Sequence, residues 1–367
     1  MIQRVDPEGK RLPGQLVNRL LLAAALSLVA LAGAAADFPA PKEGSWTVRD
    51  FKFRSGETLP ELRLAYSTVG APTGEPVIVL HGTTGSAASM LTPAFAGELF
   101  GSGQPLDASR YFIILPDALG HGKSSKPSDG LRMKFPRYNT EDMVVAAYRL
   151  ATEHLGVKRA RLVIGNSMGG METWIFATRY PAFMDIAVPL ASLPTEMTGR
   201  NWLLRRMISE SIRNDPEWKD GNYSVQPKSA RLASIFFQLA TNGGNEALAK
   251  ALPTRAKSDA LLDARLKAPF PGDANDLLYQ WESSGDYNPS AGLERIQAAV
   301  LAINSTDDER YPAELGILER EIRRVKNGRV LLILGSEDTA GHGTTGNARW
   351  WKRELEEILK SAPRGSF

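Results

Sequence analysis

Short, wholly apolar runs separated by helical stretches restrict this chain more than any other feature. Val77–Leu80, Tyr111–Leu115, Leu162–Ile164, Ile186–Leu190, Val300–Ile303 and Val330–Leu334 are each three to five residues long. A strand buried on both faces has no polar side, so it reads as a continuous apolar run rather than an alternating one. Thr47–Phe53 and Leu62–Thr68 do alternate, as half-exposed strands should. Helical patterns over Thr140–Leu155 and Met168–Arg179 lie between these runs, and one over Asn347–Leu359 follows the last of them. Strands that alternate with helices predict an α/β fold with a mostly parallel central sheet flanked by helices. One interval breaks the rhythm: Pro194 to Arg295 holds helical patterns and no buried-strand run. About a hundred residues exceed any unstructured connection in a compact domain, so the interval reads as an inserted helical cap. The expected division is a core over 37–193 and 296–367, with the cap over 194–295.

The N-terminus reads differently. Arg4, Lys10, Arg11 and Arg19 precede an apolar run, Leu20–Ala32, broken only by Ser27. At 13 residues it is short for a bilayer span. Small residues at Ala34 and Ala36 suit cleavage by the A-x-A rule. Residues 1–36 are therefore expected to be a secretory signal peptide, placing the mature protein in the periplasm or outside the cell with no stable membrane anchor. Without those residues the chain has 40 basic and 39 acidic side chains, a balance with no steering field for a polyanion and no nucleic acid partner in view. The chain has no cysteine, which excludes disulfides, thiolate metal sites, iron–sulfur clusters and thiol catalysis. Its four histidines, His81, His121, His154 and His342, form no metal-ligand spacing, and no phosphate-binding or dinucleotide fingerprint occurs. Chemistry without metal or cofactor is what remains.

Gly165-Asn166-Ser167-Met168-Gly169-Gly170 follows an apolar run and opens a helix. A serine at a sharp strand-to-helix turn needs glycines two residues before and after it, because larger side chains would strike neighbouring backbone. This makes Ser167 the candidate nucleophile. Acyl transfer also needs two backbone donors where negative charge develops on the carbonyl oxygen. The N–H groups of Met168, which follows the serine, and of Thr83, in His81-Gly82-Thr83-Thr84-Gly85 after an earlier strand, are the candidates. His81 itself reads as a support for that loop. Asp307-Asp308-Glu309-Arg310-Tyr311-Pro312 offers two carboxylates to orient an imidazole; Asp308, four residues before Pro312, is preferred to Asp307. His342, in Gly341-His342-Gly343, is the one histidine after the serine, which gives the chain order serine, acid, histidine. His154 reads as a surface residue and His121 as a structural one.

With these residues in place, the chain resembles the homoserine O-acetyltransferase-like branch of the α/β-hydrolase superfamily. Gly165–Gly170 followed by Met171 is similar to that branch's nucleophile elbow. Ile212-Arg213-Asn214-Asp215-Pro216-Glu217-Trp218 with Gly221-Asn222-Tyr223 is similar to its cap signature, Asp286-Tyr287 to a second cap landmark, and Asp308 with Pro312 to its acid loop. The resemblance implies a hydrolase core, a helical lid, Ser167, Asp308 and His342 as the triad, and a homodimer formed through the lid. Two positions depart from it. Gly343 stands where the transferases carry an aspartate that helps hold the homoserine amine, and Asn166 stands where they carry glycine. The first expectation is therefore an exported serine hydrolase that cleaves a small-molecule ester, lactone or activated amide through an acyl-enzyme. The alternative is an acyltransferase using acetyl-CoA, and a non-catalytic binding protein ranks third.

Overall fold

The structure, a computed structural model, describes residues 38–365. The expected signal segment, 1–36, lies outside the described residues. Eight strands form one sheet: β1 (Lys42–Lys52), β2 (Thr58–Val69), β3 (Glu75–Leu80), β4 (Tyr111–Pro116), β5 (Ala160–Asn166), β6 (Met184–Leu190), β7 (Ala299–Ser305) and β8 (Gly328–Ile333). Their order is β1-β2-β4-β3-β5-β6-β7-β8. β1 with β2 and β2 with β4 are antiparallel; every pairing from β4 to β8 is parallel. The mostly parallel α/β architecture expected from the sequence is present.

The longer helices are α1 (Thr140–Arg149), α2 (Met168–Arg179), α3 (Gly199–Arg213), α4 (Lys228–Ala240), α5 (Asn245–Ala251), α6 (Arg255–Lys267), α7 (Ala274–Glu282) and α8 (Lys352–Ser361). The apolar runs are continuous because alternate residues enter two different cores. Val77, Val79, Leu162, Ile164, Ile186 and Val188 pack on one face with Trp351 and Leu355. Ile78, Leu80, Val163 and Ala187 pack on the other with Met171, Trp174 and Ile175 of α2. A one-residue slip would exchange the two sets, so the helices on both faces fix the register.

Three boundaries differ from the sequence pattern. The helix expected over Thr140–Leu155 ends as a π turn over Leu150–His154, closed by Leu155 N–H on Leu150 O at 3.1 Å. The helix expected from Asn347 starts as a 3-10 turn and becomes α-helical only at Lys352. There Trp351 takes φ −145° and sends its buried indole to Thr345 O at 2.9 Å. β8 ends at Ile333, and Leu334 is exposed.

Between β6 and β7 the described residues hold α3–α7 and no strand. This insertion has a core of its own, with Ile208, Ile212, Trp218, Phe237, Leu278 and Trp281 packed together. α7, capped by the Asp273 carboxylate at Asn275 and Asp276 N–H, ties the insertion to the sheet domain. Gln280 Nε2 donates to Gly120 O at 2.8 Å, Tyr279 hydroxyl to Phe135 O at 2.6 Å, and Ser128 hydroxyl to Asp276 at 2.6 Å. Among the described residues no helix is long and apolar enough to cross a membrane.

Candidate active site

Adjacent parallel strands bring the first two loops together. β3 and β5 pair with Leu80 opposite Gly165, so the segments after them leave the same edge of the sheet side by side. Between β5 and α2 the chain reverses so sharply that Ser167 takes φ +58°, ψ −109°. This left-handed conformation costs roughly 1–3 kcal/mol for a residue with a side chain. Close packing of backbone on backbone holds it. A Cβ on Gly165 would come within 2.2 Å of Gly169 O, one on Gly169 within 2.3 Å of Leu80 O, and one on Gly170 within 2.3 Å of Leu190 O. Ser167 N–H donates to Leu190 O at 2.9 Å, which anchors the turn to β6.

β7 and β8 supply the acid and histidine loops from the same edge. Ser167 Oγ lies 2.8 Å from His342 Nε2, and His342 Nδ1 lies 2.8 and 3.0 Å from the two Asp308 oxygens. A carboxylate can only accept, so Nδ1 carries the proton and Nε2 is free to accept from the serine hydroxyl. Asp308 Oδ1 is held by the N–H groups of Arg310 at 2.8 Å and Tyr311 at 3.2 Å. Asp307 points away from the imidazole. It accepts from Ser305 hydroxyl, from Thr339 hydroxyl at 2.6 Å and from Gly341 N–H at 3.2 Å, and so shapes the loop in front of His342.

All three side chains are nearly out of solvent, with Ser167 6%, Asp308 3% and His342 5% exposed. Burial lowers the imidazole's affinity for a proton; the Arg310 charge lowers it further, and Asp308 opposes both. The net direction is downward, which leaves a neutral imidazole, the form a general base requires, at neutral pH. Burial pushes the Asp308 carboxyl up, but the imidazole and the Arg310 amide outweigh it and hold the carboxyl below its usual range.

The loop after β3 turns tightly, with Gly85 N–H on Gly82 O at 3.0 Å. A Cβ on Gly82 would sit 3.6 Å from Ser167 Cβ, which places this loop directly against the serine. Among the described residues neither the Thr83 nor the Met168 N–H donates a hydrogen bond, and the buried Thr83 hydroxyl has no partner either. Both amides are thus uncommitted: Met168 directly follows the serine, and Thr83 follows Gly82, which lies against it.

The other histidines are committed elsewhere. His81 Nδ1 donates to Gly82 O at 2.8 Å and Nε2 accepts Ala118 N–H at 3.0 Å, so the ring is a neutral brace between two loops. His121 is fully buried beside it, and burial with the neighbouring His81 holds its pKa down at about 3. His154 is exposed, stacked on Trp46 and 2.9 Å from Tyr66 hydroxyl.

Several contacts around the site were not foreseen in the sequence reading. Asn166 Oδ1 accepts Thr345 hydroxyl at 2.6 Å, a tie between elbow and histidine loop that glycine could not make. Arg310 is half-buried, lies over the Phe237 ring at 4.7 Å and donates to Thr241. From the insertion, buried Arg205 donates to Asn201 at 3.2 Å and Ser284 at 3.1 Å, over the Trp281 ring at 4.9 Å. Glu309 accepts the backbone N–H of His342 at 3.0 Å. The motif containing Glu309 and Arg310 was visible, but nothing local marks what they touch.

Known proteins share the fold. Residues 75–361 match the alpha/beta hydrolase fold family. A "Probable acyltransferase" of Methanothermobacter thermautotrophicus is 28% identical over 277 residues, spanning 73% of this chain and 83% of that protein. A homoserine O-acetyltransferase of Geotalea daltonii is 34% identical over 197 residues, which cover 49% of this chain and about half, 53%, of that protein. The crystal structure of homoserine O-acetyltransferase from Bacillus anthracis superimposes with a TM-score of 0.78 at 19% identity, covering 89% of this chain and all of that one.

Proposed function

The chain belongs to the alpha/beta hydrolase fold family, and on that premise we propose that it moves a short acyl group through a serine ester on Ser167. The relay Ser167–His342–Asp308, with 2.8 Å between both successive pairs, carries this reading. His342 Nε2 takes the hydroxyl proton as Ser167 Oγ bonds to the carbonyl carbon. The amides of Thr83 and Met168 receive the oxyanion. As the intermediate collapses, the bond to the leaving oxygen or sulfur breaks and the leaving group takes the proton from Nε2. An acceptor hydroxyl then repeats the sequence in reverse: it gives its proton to Nε2, bonds to the acyl carbon and releases Ser167.

The acceptor separates two readings. The curated relatives carry the names acyltransferase and homoserine O-acetyltransferase, which favours transfer of an acetyl group to an alcohol. By the resemblance, Gly343 replaces the aspartate that helps transferases hold the homoserine amine, and Asn166, engaged by Thr345, replaces a glycine; together with the export expected of residues 1–36, away from cytosolic acetyl-CoA, this favours water and hence an ester hydrolase. Incubation with acetyl-CoA, with and without homoserine, and with p-nitrophenyl acetate tests both. O-acetylhomoserine above the hydrolytic background supports transfer, whereas free acetate alone supports hydrolysis. Turnover by Ser167→Ala equal to that of the unmodified protein would overturn the acyl-enzyme in either form.

A further inference from the structure

The loop after α4 rests on both loops that hold the acid and the base. Gly243 N–H donates to Ala340 O at 3.1 Å, and Arg310 Nε reaches Thr241 Oγ1 at 3.2 Å. Glu309 lies between them. Its Oε1 accepts Gly244 N–H at 2.7 Å, and its Oε2 accepts His342 N–H at 3.0 Å. One carboxylate thus joins the insertion's backbone to the backbone of the residue whose ring faces Ser167. The space for it depends on glycine: a Cβ on Gly341 would lie 2.3 Å from Oε2. Gly341 and Gly244 have φ +55° and +69°, where a side chain is strained in any case. The histidine loop itself is a short 3-10 segment, Gly341–Gly346, with no long helix or strand to hold it.

We propose that Glu309 is a positioning residue that locks the His342 backbone to the seated 241–244 loop, coupling the pose of the imidazole to the docking of the insertion. Hydrogen bonds to an ionised acceptor are about twice as strong as neutral ones, and two separate N–H groups each need an acceptor. Glutamine keeps one acceptor and turns an NH₂ group toward the other amide; alanine keeps neither. A misplacement of about 1 Å at a reacting group can cost on the order of 100-fold in rate.

The test compares Glu309→Gln and Glu309→Ala with the unmodified protein. Only its activity arm rests on the acyl-enzyme reading. For p-nitrophenyl acetate, kcat is expected to fall about tenfold in the glutamine variant and further in the alanine variant, with KM within about twofold. Thermal midpoints identify how much of each variant is folded at the assay temperature. Amide hydrogen exchange is the second arm. In the unmodified protein the Gly244 and His342 N–H groups are expected to be protected; in Glu309→Gln at least one exchanges about tenfold faster or more, while α2 amides stay unchanged. Two results overturn the proposal: both variants folded with kcat within twofold of the original, or both amides of the unmodified protein exchanging like free loops. If neither variant folds, exchange in the unmodified protein decides whether the bridge exists. If the unmodified protein turns over no ester, the acyl-enzyme reading falls while exchange still judges Glu309.

Discussion

The acid and histidine loops and the inner helices of the insertion bury polar atoms in opposite ways. In the loops, among the described residues, no buried side-chain polar atom lacks a partner: His342 uses its N–H on Glu309, Nδ1 on Asp308 and Nε2 on Ser167, and Asp308 accepts two further amides. In α3 and α7, Arg205 and Trp281 are as deeply buried, yet an Arg205 terminal nitrogen and Trp281 Nε1 have no partner among the described residues. A buried open donor costs about 1–3 kcal/mol. A closed network fixes one geometry, as an acyl-transfer relay requires; open donors leave the insertion side under-satisfied and free to accept different neighbours. On the proposed acyl-transfer reading, the difference teaches that the closed relay lies in the sheet's loops, whereas the open donors of α3 and α7 lie in the insertion.

That contrast is sharpest at Asp308. Asp308→Asn leaves the shape but disturbs the tautomer of His342, and steady-state kinetics should show kcat lower by about 10³–10⁴-fold. Asp307→Asn, which touches only the loop, should cost about tenfold or less. Equal losses would erase the distinction between the two aspartates and break the comparison.

The elbow is the next test. In Gly169→Ala the added carbon meets Leu80 O at 2.3 Å, and backbone cannot yield as a side chain can. A loss of about 1–3 kcal/mol in denaturant unfolding is expected. Alanine at Gly346, where a Cβ meets nothing within 4 Å, should change stability by much less.

Open buried atoms also occur in the sheet domain, and Glu172 on α2 sharpens the contrast there. Neither carboxyl oxygen has a partner among the described residues, and burial raises its pKa to about 8. The folded carboxyl is therefore neutral at pH 7 while the unfolded one is ionised. For a raised acid the stability is fully present below pH about 4.5 and declines as pH rises toward 8. Glu172→Gln removes that dependence. Its stability relative to the unmodified protein should improve between pH 5 and 8, by about 3 kcal/mol at the upper end; a gap that does not change with pH would contradict it.

The smallest expected effect is electrostatic. Arg310 lowers the proton affinity of His342. A general base works only when neutral, so the acid limb of kcat/KM should lie below the ordinary imidazole range. Arg310→Met should move that limb to higher pH, and Arg205→Met should move it in the same direction by less. A shift to lower pH would show that these guanidiniums do not act on the ring.

Legibility in the sequence followed how local each requirement was. The elbow was readable because its glycines sit two residues either side of the serine, and Gly165 answers to the Gly169 backbone only four residues away. Asp308 followed from its distance to Pro312, and His342 from the scarcity of histidine. Glu309 was not readable as a bridge, because its two partners lie 65 residues back and 33 residues ahead. The bond between Asn166 and Thr345 spans 179 residues and was equally hidden. Phe236 and Phe237 look alike in the sequence. In the fold Phe237 is buried under Arg310 while Phe236 is 62% exposed, a difference of one step around α4 that depends on where the insertion docks.

Reaction with a fluorophosphonate, followed by peptide mapping in the unmodified protein and in His342→Ala, tests the central claim most directly. The expected result is a single adduct on the peptide containing Ser167, formed at least about 100-fold more slowly without the imidazole. An intact protein that carries no adduct at Ser167, or that labels there equally fast in both forms, would contradict it.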